Sequence, residues 1–219
     1  MNTKMFPVDW GGLRKVKPVS AVFGLDRGMP IDRYYIEKFL ESNSDYIKGN
    51  IVEIAENTYS KKFCAAIEKS KLNILHYSNV EGAKYIGDLT DTSSLPENEF
   101  DCFICTQTFN FIFDLKSAIH GSHYLLKEGG VLLATLGGIS QISKYDMDRW
   151  GDYWRFTVLS AKKLFEEVYG EGKVEVSSYG NVLSSIAFLE GISSGELKAE
   201  ELDANDINYQ LLITVKAIK

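Results

Sequence analysis

A chain of 219 residues, 45% hydrophobic and 25% charged, can close one hydrophobic core without disulfides or a structural metal. Its formal net charge of −6 argues against a broad nucleic-acid footprint, because the most basic cluster, Arg14, Lys15 and Lys17, is too short to supply one. The opening "MNTKMFPVDW" has no apolar signal core and no run approaches the ~20 apolar residues of a membrane span, so the expectation is a cytoplasmic protein.

Residues 1–28 read as irregular, punctuated by Pro7, Gly11, Gly12, Pro18, Gly24 and Gly28. From Pro30 the pattern becomes helical: Ile31, Tyr35 and Phe39 recur every four residues, with Tyr34, Ile36 and Leu40 widening the face. Short apolar runs then alternate with helical segments. Strands are expected at 51–55, 72–77, 83–86, 101–106 and 130–136, and helices at 61–69 and 115–126, the second closed by "KEGG". After residue 136 a glycine pair, Gly137 and Gly138, opens a polar and aromatic segment over 139–157. A helix at 158–169, a strand at 174–178, a helical stretch at 182–202 and a last strand at 209–217 complete the chain.

Continuous apolar strands alternating with helices specify an α/β fold with a mostly parallel sheet covered on both faces, here of about seven strands. Ligands of such sheets bind at the carboxyl ends of the strands, near the switch in strand order. That singles out the loops 55–60, 77–82, 87–97, 106–113 and 137–157. The three cysteines, Cys64, Cys102 and Cys105, suit reduced thiols. The odd spacing of Cys102 and Cys105 points them to opposite faces of a strand, which disfavours a metal or redox pair, and no metal is expected.

Several stretches resemble class I S-adenosylmethionine-dependent methyltransferases. They are "GDLTDTSSLPENEFDCFICTQTFNFIFD" over 87–114 and "LLKEGGVLLAT" over 125–135, within a likeness running from about residue 31 to the end. The resemblance implies a Rossmann-like seven-stranded sheet with an antiparallel last strand, S-adenosyl-L-methionine as cofactor, and residues 1–30 as an extension folding over the pocket of a 31–219 domain. It implies that Asp88, with Leu89 beside it, frames the adenine, and that Thr106 and Gln107 lie near the amino-acid end of the cofactor.

The first strand departs from that pattern. "IVEIAEN" places Glu53 at the family's acidic position, but Ala55, Glu56 and Asn57 replace the glycines that let the backbone approach the cofactor. Asn tolerates a left-handed conformation and Ala is the smallest other substitute, so the turn can keep its shape; read alone, it is equally an ordinary strand–helix connection. Strand two ends in "LHYSNVEG", where His76, Tyr77 and Ser78 stand in place of a ribose-binding carboxylate. His76 reads either as that contact or as a strand residue satisfied by its neighbours. Asp88 has its own alternative, a turn cap.

A narrower resemblance joins "FGLDRGMPIDRYYIEKFL" and "SKYDMDRWGDYWRFT" to bacterial methyltransferase-domain proteins linked to surface glycans and glycosyltransferases. Between 145 and 155 two tryptophans, two tyrosines and three aspartates suit a sugar ring, offering aromatic faces and hydroxyl-binding groups. Tyr145, Arg149, Trp150, Trp154 and Arg155 are the candidate acceptor contacts there, joined by Asp26, Arg27, Arg33 and Tyr34 from the N-terminal side. Asp148 is the first candidate general base and Asp146 the second; the other reading is an aromatic lid held by its own salt bridges. The expectation is O-methylation of a sugar hydroxyl, with association with glycosyltransferases; the alternative is a methyltransferase-like binding domain that has lost catalysis. A nicotinamide enzyme would need the glycine-rich turn that is missing.

Overall fold

The computed structural model describes residues 11–64 and 67–219. Seven strands, β1 (Asn50–Ile54), β2 (Lys71–His76), β3 (Tyr85–Ile86), β4 (Phe100–Thr106), β5 (Leu126–Gly137), β6 (Val174–Tyr179) and β7 (Leu212–Ile218), form one sheet in the order β3-β2-β1-β4-β5-β7-β6. Strand β7 runs antiparallel to both neighbours and every other pairing is parallel. The order reverses between β1 and β4, so the ligand crevice of such a sheet falls at their carboxyl ends.

Helices α1 (Ile31–Ser42), α2 (Thr58–Phe63), α3 (Leu115–Leu125), α4 (Lys144–Met147), α5 (Val158–Tyr169), α6 (Val182–Glu190) and α7 (Ala199–Asp203) cover the sheet. Strand β4 shows how the faces divide. Phe103 and Cys105 join Ile119 of α3 and Phe165 of α5 on one side, while Cys102 and Ile104 join Tyr35 and Phe39 of α1 and Phe188 of α6 on the other. The two cysteines therefore lie in different cores, as period-two alternation requires. Helix α1 buries the expected stripe of Ile31, Tyr35 and Phe39, and the Tyr35 hydroxyl donates to the Leu202 carbonyl at 2.8 Å. No helix among the described residues is long and apolar enough to cross a membrane.

Five boundaries differ from expectation. The helix expected at 61–69 opens earlier, at Thr58, because the buried Glu53 carboxylate accepts the amides of Tyr59 and Ser60; Cys64 then leaves the helix in an extended conformation, and a separate 3-10 turn spans Ile67–Lys69. "KEGG" lies inside β5 rather than closing α3. Leu126 already pairs with Phe100, and the next paired position, Cys102 with Val131, leaves the intervening β5 residues looped out, with Gly129 at φ +77°. Strand β3 has only two residues, and β7 starts at Leu212 because Tyr209 turns back to Asp206. The stretch at 182–202 divides at Gly191, φ +69°, where a side chain would collide with the Ser20 carbonyl.

Candidate functional site

The turn after β1 is strained. Ala55 sits at φ +66°, a left-handed conformation costing a non-glycine residue about 1–2 kcal/mol. Its amide donates to the Leu75 carbonyl at 3.0 Å, which holds it there, while Asn57 at φ −123° is not left-handed. The residue with the conformational demand is thus alanine, at the place where the resembling enzymes use glycine. Glu53 is 2% exposed and accepts from Ser60 N at 2.8 Å and Tyr59 N at 3.2 Å. Burial pushes its carboxyl up, and those amides pull the other way.

Along the neighbouring strand ends, His76 Nδ1 lies 3.0 Å from Ser78 N, within its own turn. Tyr77 projects from the sheet and meets Trp150 edge-to-face at 5.8 Å between centroids. Asp88 uses Oδ1 to accept from Thr90 N and Thr90 Oγ1, both at 2.8 Å; Oδ2 has no hydrogen-bond partner among the described residues. Leu89 is buried in the core, with its carbonyl against Gly121, so it positions the loop from below.

Strand β4 ends in a second strained residue, Gln107 at φ +47°, whose amide donates to the Thr135 carbonyl at 2.9 Å. Thr106 precedes it, and its carbonyl accepts from Thr108 Oγ1 at 3.0 Å. Asn110 organises this corner. Its Nδ2 donates to Gln107 Oε1 at 3.0 Å, its Oδ1 accepts from Gly137 N at 3.2 Å, and its carbonyl accepts from Tyr153 N at 2.9 Å and Trp154 N at 3.2 Å. One buried residue therefore ties the loop after β4 to the end of β5 through its side chain and to the 145–155 segment through its carbonyl. The sequence carried a signal for it: a lone amide between Phe109 and Phe111, where a polar residue enters an apolar environment only if its hydrogen bonds are met.

Within 138–157 the charged groups divide by partner. The Asp152 side chain, 1% exposed, accepts from Ser143 N at 3.0 Å and from Arg155, whose NH2 is 2.9 Å away. Burial would raise this carboxyl, and the Arg155 and Ser143 hydrogen bonds outweigh it and hold it below the usual range. Arg155 also donates to the Gln141 carbonyl at 2.7 Å. Ser143 caps α4, and the Asp146 carboxylate accepts from the Ser143 Oγ at 2.5 Å. Arg149 lies 3.5 Å from the Tyr145 ring centroid, and Trp154 Nε1 donates to the Ile112 carbonyl at 3.0 Å. Asp148 is exposed, and its carboxylate makes no hydrogen bond or ion pair among the described residues.

On the N-terminal side, residues 1–10 of the expected extension lie outside the described residues. From residue 11 onward the chain rests on the end of α6: Val19 N donates to the Glu190 carbonyl at 2.9 Å, Arg27 pairs with Glu196, and Asp26 accepts from Ser20 Oγ at 2.5 Å. Tyr34 donates to Asp203 at 2.7 Å. Arg27 and Tyr34 are thereby engaged with the chain's own C-terminal half, and Asp26 with Ser20 of its own segment. Arg33 instead lines a cavity of ≈ 210 Å³ with Met29, Glu37, Glu56, Thr58 and Tyr59, between the start of α1 and the β1–α2 turn. Beside it, burial pushes the Asp32 carboxyl up to about 6, a feature nothing in the local pattern announced.

The donor set at these strand ends fits S-adenosylmethionine. A hydroxyl and an imidazole stand at the end of β2 for ribose, a carboxylate oxygen is open at Asp88 for an amino group, and Arg33 with acidic neighbours stands beside the β1 turn for an amino-acid group. The profile of the family described as "Methyltransferase domain" matches residues 46–134, which span β1 to β5. Among solved structures, an S-adenosylmethionine-dependent methyltransferase from Archaeoglobus fulgidus shares 12% identity, with 85% of this chain and 94% of that chain covered and a TM-score of 0.55. The plantazolicin methyltransferase BamL, in a complex containing S-adenosylhomocysteine, shares 11% identity over 92% of this chain and 89% of its own, with a TM-score of 0.55. The [4+2]-cyclase SpnF shares 15% identity over 86% and 80%, with a TM-score of 0.53. Among curated proteins, none matches this chain in sequence. The fold is that of the class I S-adenosylmethionine-dependent methyltransferases. The family profile runs from β1 into β5, and that match together with the fold indicates S-adenosylmethionine as the cofactor.

Proposed function

We propose that the chain is an S-adenosylmethionine-dependent methyltransferase that methylates a hydroxyl of a sugar-like acceptor, a glycan or glycosylated precursor, beneath the 137–157 segment. The observation that carries this reading is the left-handed conformation of Ala55. A chain with no use for the turn would relax an alanine out of that region, and strain of this kind persists where the surroundings over-determine it, most often at ligand sites. Ala55, Asn57, His76, Asp88, Thr106 and Gln107 would hold the cofactor along the strand ends, with Glu53 fixing the turn from behind and Leu89 the Asp88 loop from below. The bound cofactor supplies an activated methyl group. The chain's own part is to aim the acceptor hydroxyl, exclude water, and take the hydroxyl proton on the Asp148 carboxylate.

Asp148 is preferred to Asp146 as base because the Asp146 carboxylate is held by the Ser143 hydroxyl. Tyr145, Trp150 and Trp154 offer ring faces for a sugar, with Arg149 beside them and Arg33 at the cavity rim; Arg155 acts through Asp152 to fix the segment. Asp26, Arg27 and Tyr34 belong to the acceptor side in this reading only if their present partners release them. The N-terminal segment to residue 30 serves as a cover on the 31–219 domain, and the setting proposed is cytoplasmic, alongside glycosyltransferases.

Titration calorimetry with S-adenosylmethionine and S-adenosylhomocysteine tests the cofactor half of the proposal; absence of heat at millimolar ligand sinks it. A second reading, a binding domain without methyl transfer, is favoured by one observation: Glu53 is spent on α2 and no carboxylate stands at the end of β2. A fold neighbour named as a cyclase fits that reading, since fold alone does not decide chemistry. Cofactor binding without turnover on any hydroxyl acceptor would favour it.

A further inference from the structure

We infer that a cleft at the opposite, amino end of the strands is a second binding site, for a small phosphorylated ligand. The cleft measures ≈ 520 Å³, against ≈ 210 Å³ for the cavity beside the β1–α2 turn, and falls in the range of small-molecule pockets. Tyr46, Lys48, Lys69, Asp101 and Gly129 are among its walls. Two backbone features build its rim. Gly49, at φ +76°, lets the chain enter β1 so close to Asp101 that a side chain there would lie 2.5 Å from the carboxylate, and the bulge of β5 carries Gly129 outward.

The charge of the cleft is specific. Its one carboxylate, Asp101, is neutralised by Lys127 Nζ at 2.9 and 3.0 Å and accepts from Asn50 N at 2.7 Å. Lys48 and Lys69 form no ion pair among the described residues. Two lysines that form no ion pair among the described residues thus line one cleft in a protein whose net charge is −6. A phosphate ester is a dianion that matches two ammonium groups, and lysine binds phosphate as a mobile point charge. Tyr46, 37% exposed and with the Lys216 ammonium 5.0 Å from its ring centroid, gives the ester's organic part a ring to pack against. The site is independent of the methyl-transfer reading, because it lies at the other end of the sheet.

The test is calorimetric titration of the full chain with phenyl phosphate, and with inorganic phosphate in a second arm, at constant ionic strength. Phenyl phosphate binds saturably, inorganic phosphate more weakly, and the Lys48→Gln/Lys69→Gln double variant loses at least about tenfold in affinity while its melting temperature stays at the wild-type value. Saturating S-adenosylhomocysteine leaves the binding unchanged. The inference is overturned by no saturable heat up to about 10 mM ligand, by a double variant that binds as wild type does, or by competition with S-adenosylhomocysteine, which would put the phosphate at the other end of the sheet. Should the double variant melt early, the single variants Lys48→Gln and Lys69→Gln carry the same comparison, each with a smaller loss.

Discussion

Ala55 and Gln107 occupy the same left-handed region, at φ +66° and +47°, at the carboxyl ends of the adjacent strands β1 and β4. Neither residue type favours it, and both are pinned there by amide hydrogen bonds to a neighbouring strand, Ala55 to Leu75 and Gln107 to Thr135. The crevice where the strand order reverses is therefore bordered by two conformations that cost energy, in a protein with glycine available to relieve them.

Replacing the alanine measures that cost. Ala55→Gly removes the clash of the side chain with its own backbone and should raise stability by about 1 kcal/mol, less what the more flexible unfolded chain gives back. The same change should tighten S-adenosylhomocysteine binding, because the backbone can then approach the ligand more closely. Ala55→Val, branched at Cβ, should lower both. Urea melts and calorimetry on the three proteins give the answer; a glycine variant no more stable than wild type would mean that the turn relaxes in solution.

Asp88 offers a cleaner test of the adenine side, because only Oδ1 is used by its turn. Asp88→Asn keeps an oxygen for Thr90 and replaces the open carboxylate oxygen by an amide. Affinity for S-adenosylhomocysteine should fall by roughly tenfold, the scale of one charged hydrogen bond, with little change in melting temperature. Unchanged affinity would remove Asp88 from the site.

How far the residues themselves disclosed this arrangement depended on the range of the interactions involved. Strands β1, β4 and β5 were legible because a strand buried on both faces is apolar throughout, and α1 because its stripe repeats every four residues. The start of α2 was not, since its cap is Glu53, six residues back in a strand. "KEGG" resembled a helix stop because only the pairing of β4 with β5 turns it into a bulge. At the site the same division holds. Asp88 and Asp148 are candidates by local pattern alone, whereas the partners of Arg27 and Tyr34 are 169 residues away. The 145–155 segment looked uniformly functional, and its split into engaged Asp152 and Asp146 and open Asp148 exists only in three dimensions.

That split predicts opposite phenotypes for two neighbouring aspartates. Asp152→Ala leaves the Arg155 guanidinium and the Ser143 amide without their acceptor in a nearly buried position, and should cost roughly 2–3 kcal/mol of stability. Asp148→Asn should leave the melting temperature alone and abolish turnover on a hydroxyl acceptor while sparing cofactor binding. Retained turnover in Asp148→Asn would assign the proton to another group.

Asp32 makes stability depend on pH in a direction unusual for a carboxylate. Burial is the largest influence on it and raises its folded value to about 6, while the Arg33 amide and charge lower it. The folded state therefore holds a proton between about pH 4 and 6 that the unfolded chain has already released, so this group's contribution falls as pH rises through that window. Above it, the ionised carboxylate is a cost, partly offset by its place in the first turn of α1, where the helix dipole favours negative charge. Asp32→Asn keeps an acceptor for the Arg33 amide and removes the charge. It should stabilise the protein by roughly 1–2 kcal/mol at pH 7.5 and by almost nothing at pH 4. Urea melts of both proteins at the two pH values measure the difference, and an equal effect at both would show that Asp32 is ionised throughout.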